Sequence, residues 1–214
     1  MAEKLELLVE DNPFLTEKVI RKANSKNSRI LFLYPNERGM STIPPSIAVL
    51  SQILKDEGHV TGLFDTTFYK FDDEISIEDS DKIKSNALEN RPVLDRDDDD
   101  LHFKKTTKSA IDDFRKAILN FRPDLIAVSC TETTFLRAIK MIDATRDLGI
   151  KNIFGGVFPT FAPELALSYE NVDMVCVGEG ENAIVDLANS ISNNDLTTKI
   201  TNIWFKTKNN EIDK

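Results

Sequence analysis

The 214-residue chain is poor in the residues that build metal and redox centres: it has two cysteines, Cys130 and Cys176, and two histidines, His59 and His102. Two distant cysteines form neither a zinc site nor an iron–sulfur site by themselves. Each ends an apolar run and reads as a small buried hydrophobe, although a loop suited to holding a ligand follows Cys130. No apolar run approaches the roughly 20 residues needed to span a bilayer. The opening "MAEKLELLVEDNPF" carries charges throughout and does not read as a signal peptide, so the cytoplasm is the expected compartment. Basic residues are the minority, 27 Lys+Arg against 36 Asp+Glu, and the net charge of −9 argues against free nucleic acid as a partner.

What the chain does have is a 41% hydrophobic content, enough for a real core. Residues 1–28 read as an N-terminal helical extension, with Asn12 as a cap and Pro13 at the first helical position. From Arg29 strand and helix signals alternate. Apolar runs at 29–34, 59–65, 124–130, 151–156 and 172–178 read as buried strands. Segments 44–58, 109–121, 134–149, 163–170 and 181–192 read as helices, several opened by proline or closed by glycine. This alternation predicts an α/β fold, flavodoxin-like (Rossmann-like): a five-stranded parallel sheet in the order 2-1-3-4-5 with helices on both faces. The main domain is expected over 29–195, with 196–214 as a linker or β-hairpin. Residues 66–107 break the pattern. They are rich in Asp and Glu, include "DRDDDD" (95–100), and read as an acidic surface insert without calcium-loop spacing.

In such a sheet, ligands bind beyond the carboxyl ends of the strands. Four loops leave those ends here: "PNERGMSTIPP" (35–45), "TETT" (131–134), "GGVFPT" (155–160) and "GEGE" (178–181). They hold five of the chain's eight glycines: Gly39, Gly155, Gly156, Gly178 and Gly180. Turns want glycine in any case, but bare backbone also lets a flat ligand lie close. The familiar alternatives are missing. "YPNERG" after the first strand is not G-x-G-x-x-G, no Gly-Lys-Ser/Thr of a P-loop is present, and no G-x-S-x-G elbow is present. The strand ends Tyr34-Pro35, Ser129-Cys130 and Val177-Gly178 lack the acidic residues and lysine of a receiver domain. A flavin site rests on fold alone.

Five stretches, "ILFLYPN", "IPPSIAVLSQILKDEGHVTGLFD", "PDLIAVSC", "GGVFPTFAPELAL" and "VDMVCVGEGENAIVDL", in this order and spacing, resemble the N-terminal cobalamin (B12)-binding domain of B12-dependent radical SAM proteins. The resemblance spans about 29–192 apart from the acidic insert. It implies a domain that presents cobalamin from its strand carboxyl ends to a radical SAM barrel. It also implies that Gly155 and Gly156 line the cofactor pocket, that Phe158, Pro159 and Thr160 shape its rim, and that Ser129, Thr131 and Thr133 hydrogen-bond the ring amides or nucleotide tail. Gly178, Glu179, Gly180 and Glu181 match the family's G-E-G-E turn near the barrel. A bulky side chain at Gly156 is then expected to block the ring and leave the fold intact.

Two departures shape the expectation. Cobalamin proteins of the methionine-synthase type supply a histidine from D-x-H-x-x-G; here Tyr34 stands at the aspartate, Asn36 at the histidine and Gly39 at the glycine. Base-off cobalamin with no protein histidine ligand is therefore expected, with an open lower face near Asn36, Arg38 or Met40. The chain also lacks the C-x-x-x-C-x-x-C that holds a [4Fe–4S] cluster in a radical SAM domain. The cluster and S-adenosylmethionine are expected only in a downstream domain. The leading reading is the cobalamin domain of a methyltransferase or a related enzyme that forms or rearranges C–C bonds. A stand-alone corrinoid carrier or sensor and a flavodoxin-like FMN protein are the alternatives.

Overall fold

A computed structural model describes residues 27–36, 44–69, 71, 106, 108–195, 199–207, 209 and 211–214. Its sheet begins with five parallel strands: β1 (Arg29–Tyr34), β2 (Val60–Asp65), β3 (Leu125–Ser129), β4 (Lys151–Gly155) and β5 (Met174–Cys176). Two antiparallel strands follow, β6 (Ile203–Lys206) and β7 (Ile212–Asp213), giving the order β2-β1-β3-β4-β5-β6-β7. The expected order 2-1-3-4-5 is present, but the sheet has seven strands rather than five and is mixed. The apolar alternation Ile203, Phe205 of the tail lies on β6, which pairs with β5 and forms a hairpin with β7.

The helices are α1 (Pro45–Asp56), α2 (Ala110–Phe121), α3 (Glu132–Asp143), α4 (Val157–Phe161), α5 (Pro163–Ser168) and α6 (Glu181–Ser192). Their ends follow local chemistry. Pro45 opens α1, where its missing N–H costs nothing. Ser109 caps α2 by accepting the Asp112 N–H at 3.2 Å, and left-handed Arg122 (φ 51°) ends it. A 3₁₀ turn, Arg146–Leu148, follows α3 and stops at Gly149 (φ 66°).

β1 shows why both faces are covered. Leu31 and Leu33 join Phe114, Ile126, Phe135 and Phe154 on one side, while Ile30 and Phe32 join Leu54, Ile153, Ile184 and Leu187 on the other. Alternate residues of a strand point to opposite faces, so a strand apolar throughout needs helices on both. The edge strand β2 is the exception, half-buried along most of its length.

The N-terminal extension 1–26, Arg38, Gly39, Met40, the "DRDDDD" run and His102 lie outside the described residues. The reading of 66–107 as a surface excursion needs correction at its start. Thr66 and Tyr69 are buried, with the Tyr69 ring 5.6 Å from Phe64 and its hydroxyl donating to Asp113 at 3.2 Å. Among the described residues no helix is long and apolar enough to cross a membrane.

Candidate functional site

The carboxyl ends of β1, β3, β4 and β5 bring three of the four loops into view, because 37–43 of the first is outside the described residues. What remains of it is Pro35 and Asn36. Asn36 is buried, and its amide donates to Thr67 Oγ1 at 2.9 Å. Its carbonyl accepts from Thr66 Oγ1 at 2.9 Å and from Arg137 at 2.7 Å. Its side chain is thus committed toward the end of β2, and in this structure it is an internal tie rather than an exposed group.

The glycine pair divides. Gly155, the last residue of β4, has room: an added Cβ would lie 3.8 Å from Cys176 Cβ and 3.9 Å from Val128 O. Gly156 does not. Its backbone sits at φ 104°, ψ −165°, a region open in practice to glycine alone. An added Cβ would lie 2.5 Å from Cys130 O, inside any tolerable contact. The second glycine is needed so that the β4 loop can lie against the β3 loop, and a side chain there would disturb the protein itself. The expectation that a bulky residue at 156 leaves the fold intact is therefore corrected.

After Gly156 the chain turns directly into α4, where the sequence predicts a loop. Phe158 packs on Phe135 with centroids 4.5 Å apart, and Pro159 is buried. Thr160 Oγ1 accepts the Gly178 N–H at 3.1 Å, tying the β4 and β5 loops together. Gly178 itself has φ 86° and nothing within 4 Å of an added Cβ, so this backbone faces open space. Glu179 is exposed, while a Cβ added at Gly180 would meet Leu50 of α1 at 3.6 Å.

Hydroxyls supply the polar groups of the edge. Thr131 and Thr133 are exposed at the start of α3 with their Oγ1 atoms 3.1 Å apart. Ser129 Oγ lies 3.5 Å from Ser46 Oγ. Beneath them Cys130 is buried, and burial pushes its thiol up to about 12; burial likewise raises Cys176 to about 11, with Glu181 and Glu179 adding to the shift. Both thiols are protonated at neutral pH and act as packing, as their place at the ends of apolar runs suggested. His59 is buried at the opposite edge, before β2, where Nδ1 accepts the Ser28 N–H at 3.2 Å. Burial lowers its pKa, against weaker opposing effects of Asn189 and Glu57. A depression of about 300 Å³, lined by Asp124, Lys151, Met174, Ile191 and Asn194, is also at that amino-terminal edge.

The structure thus brings Ser129, Thr131, Thr133, Gly155, Gly156, Phe158, Pro159, Thr160, Gly178 and Glu179 to one end of the sheet and turns Asn36 inward. Sequence reasoning missed Arg137. It is buried on α3, and its guanidinium lies 4.4 Å over the Phe71 ring while donating to Asn36 O. Its phase was a usable signal, since it falls between Thr134 and Met141 on the buried face of the helix.

This edge has features that suit a wide, amide-fringed ring: open backbone at Gly178, ordinary clearance at Gly155, and the exposed hydroxyls of Thr131 and Thr133. A family model described as the B12 binding domain matches residues 36–188. No curated protein matches the chain. Among solved structures, the radical S-adenosylmethionine methyltransferase TsrM from Kitasatospora setae, with cobalamin and a [4Fe-4S] cluster bound, aligns with a TM-score of 0.59 and 18% identity over 86% of this chain and 30% of that one. The cobalamin-dependent S-adenosylmethionine radical enzyme OxsB, with aqua-cobalamin and S-adenosylmethionine bound, aligns with a TM-score of 0.56 and 16% identity over 100% of this chain and 27% of its own. At these identities the likeness is one of fold, and this chain spans less than a third of either protein. With the family model matching well over half of its length, the chain belongs to the B12-binding domain family.

Proposed function

We propose that this chain is the cobalamin-binding domain of a B12-dependent radical SAM enzyme of the methyltransferase type, holding the cofactor across the carboxyl edge of its sheet. The observation that carries the reading is the gathering, inside the matched region 36–188, of three loops that present open backbone at Gly178 and the exposed hydroxyls of Thr131 and Thr133. Bound cobalamin would supply the group-transfer chemistry at its cobalt, and the protein's part is to bind and orient it. In this reading Gly155 and Gly178 give the ring room and Ser129, Thr131 and Thr133 hydrogen-bond its amides or tail. Phe158, Pro159 and Thr160 hold the rim, and Glu179 stands at the side facing a partner domain. Gly156 keeps the β4 loop close enough to Cys130 for that surface to exist, and Asn36 and Gly39 serve the β1 loop, Asn36 from inside. The [4Fe–4S] cluster and S-adenosylmethionine belong to a downstream radical SAM domain of a longer chain.

The bound form is proposed to be base-off with no protein histidine on cobalt. His59 lies at the far edge of the sheet, and the buried carboxamide of Asn36 is a poor cobalt ligand. Titration of hydroxocobalamin into the purified protein, followed by absorbance, tests the function. A saturable corrinoid spectrum is expected, while no binding, or uptake of FMN instead, contradicts it. Electron paramagnetic resonance of the Co(II) form tests the ligation. No axial nitrogen splitting is expected, and a splitting lost in His102→Ala would mean that the acidic insert supplies a ligand.

A further inference from the structure

The β6–β7 hairpin lies beyond the 36–188 region matched by the family model, yet its first turn reaches the β5 loop. Ile203 N–H closes that turn on Ile200 O at 3.1 Å, and Asn202 adopts a left-handed backbone with φ 68°. Non-glycine residues seldom sit there, and asparagine is among the few that tolerate it. Two bonds follow. The Asn202 carbonyl accepts the Val177 N–H at 2.8 Å, and its side-chain amide donates to Glu179 O at 3.0 Å. From the other side Thr160 Oγ1 accepts the Gly178 N–H at 3.1 Å. The stretch 177–179 is therefore held between α4 and the hairpin. Gly178, with φ 86° and open space around it, could not hold a defined position by its own packing.

We infer that Asn202 is a positioning residue of the cofactor edge: its left-handed turn and side-chain amide fix the Gly178–Glu179 backbone in the arrangement that receives the corrin. The inference rests on the cobalamin reading for its ligand, but the clamp itself is a property of the ligand-free protein. Loops become precise binding surfaces when such supporting bonds lock them in advance.

Asn202→Gly isolates the side-chain bond. Glycine accepts φ 68° without strain, so the turn and the Val177 bond stay while the bond to Glu179 O goes. Asn202→Asp keeps the side-chain volume and replaces the donor with an acceptor facing a carbonyl. In both variants, amide exchange at Gly178 measured by NMR without cofactor should speed up several-fold. Hydroxocobalamin affinity should fall about fivefold, the worth of one net hydrogen bond, and for Asn202→Gly the unfolding temperature should fall by no more than about 2–4 °C, what one such bond is worth in a chain of this size. Wild-type exchange in Asn202→Gly overturns the clamp. Faster exchange with unchanged affinity overturns its role in binding, and a fall in the unfolding temperature of Asn202→Gly well beyond about 4 °C makes the residue merely structural. Should the wild-type protein take up no hydroxocobalamin, the cofactor reading fails, and the exchange measurement alone still decides whether Asn202 holds the loop.

Discussion

Replacing Gly156 with alanine adds a single methyl group where the structure leaves no room. The Cβ would lie 2.5 Å from Cys130 O and 3.2 Å from Cys130 N, both backbone atoms of a residue that pairs with β4 through its own N–H to Gly155 O at 3.0 Å. Neither can retreat without opening the β3–β4 ladder. The Gly-only backbone region costs a substituted residue about 1–3 kcal/mol, and forcing a methyl into a packed contact costs about as much again. The sum is roughly 2–6 kcal/mol. In a chain of this size each kcal/mol lowers the unfolding temperature by about 2–4 °C, so a fall of roughly 4–24 °C is expected in thermal unfolding followed by circular dichroism. Gly155→Ala is the control. Its nearest atoms would be at ordinary contact distance, 3.8 and 3.9 Å, and its unfolding temperature should stay within a few degrees of wild type, about 1 kcal/mol or less. A Gly156→Ala protein as stable as wild type would refute the close approach of the two loops.

Three further outcomes follow from the buried groups and the hydroxyl edge. Cys130 and Cys176 should resist alkylation in the native protein and react fully in denaturant. Because their folded values of about 12 and 11 exceed the ordinary thiol value, stability should be full below about pH 9. It should then fall by about 1.4 kcal/mol per pH unit for each thiol still protonated in the fold. His59 shifts in the other direction, down, so its contribution is present above about pH 6.5 and is lost as the pH falls below it. His59→Asn, which keeps an acceptor for Ser28 N–H, should flatten that acid limb in a pH series of denaturant melts. Thr133→Ala removes an exposed hydroxyl bonded to Thr131 Oγ1. It should leave the unfolding temperature unchanged while weakening cobalamin binding by about two- to tenfold, and equal binding would take Thr133 out of the site.

The sheet was legible because each buried strand is an apolar run between recognisable helix ends. The run 29–34 and the helix 181–192 have the boundaries their residues suggest. The hairpin was harder: the turn signal was visible, but whether Ile203 and Phe205 pair with β5 depends on an edge the sequence does not display. Val157–Phe161 reads as loop because two glycines precede it and a proline interrupts it, although proline is at ease in the first turn of a helix. The edge itself could be located from loop glycines, but not which contact each glycine serves. Gly155 and Gly156 are adjacent and identical in type, and only the position of Cys130 O separates ordinary contact from collision. Arg137 and Asn202 were missed for the same reason, since their partners are carbonyls remote in sequence, and a carbonyl leaves no mark on the residue type.

The central claim is that cobalamin lies across the carboxyl edge of this sheet, and the most direct measurement is a hydrogen–deuterium exchange footprint of the protein with and without hydroxocobalamin. Protection is expected in the segments 129–134, 155–161 and 177–180, with no change around Asp124, Lys151 and Asn194 at the opposite edge, where the 300 Å³ depression lies. Bound cobalamin that protects the amino-terminal edge instead, or leaves those three segments exchanging as before, would contradict the account.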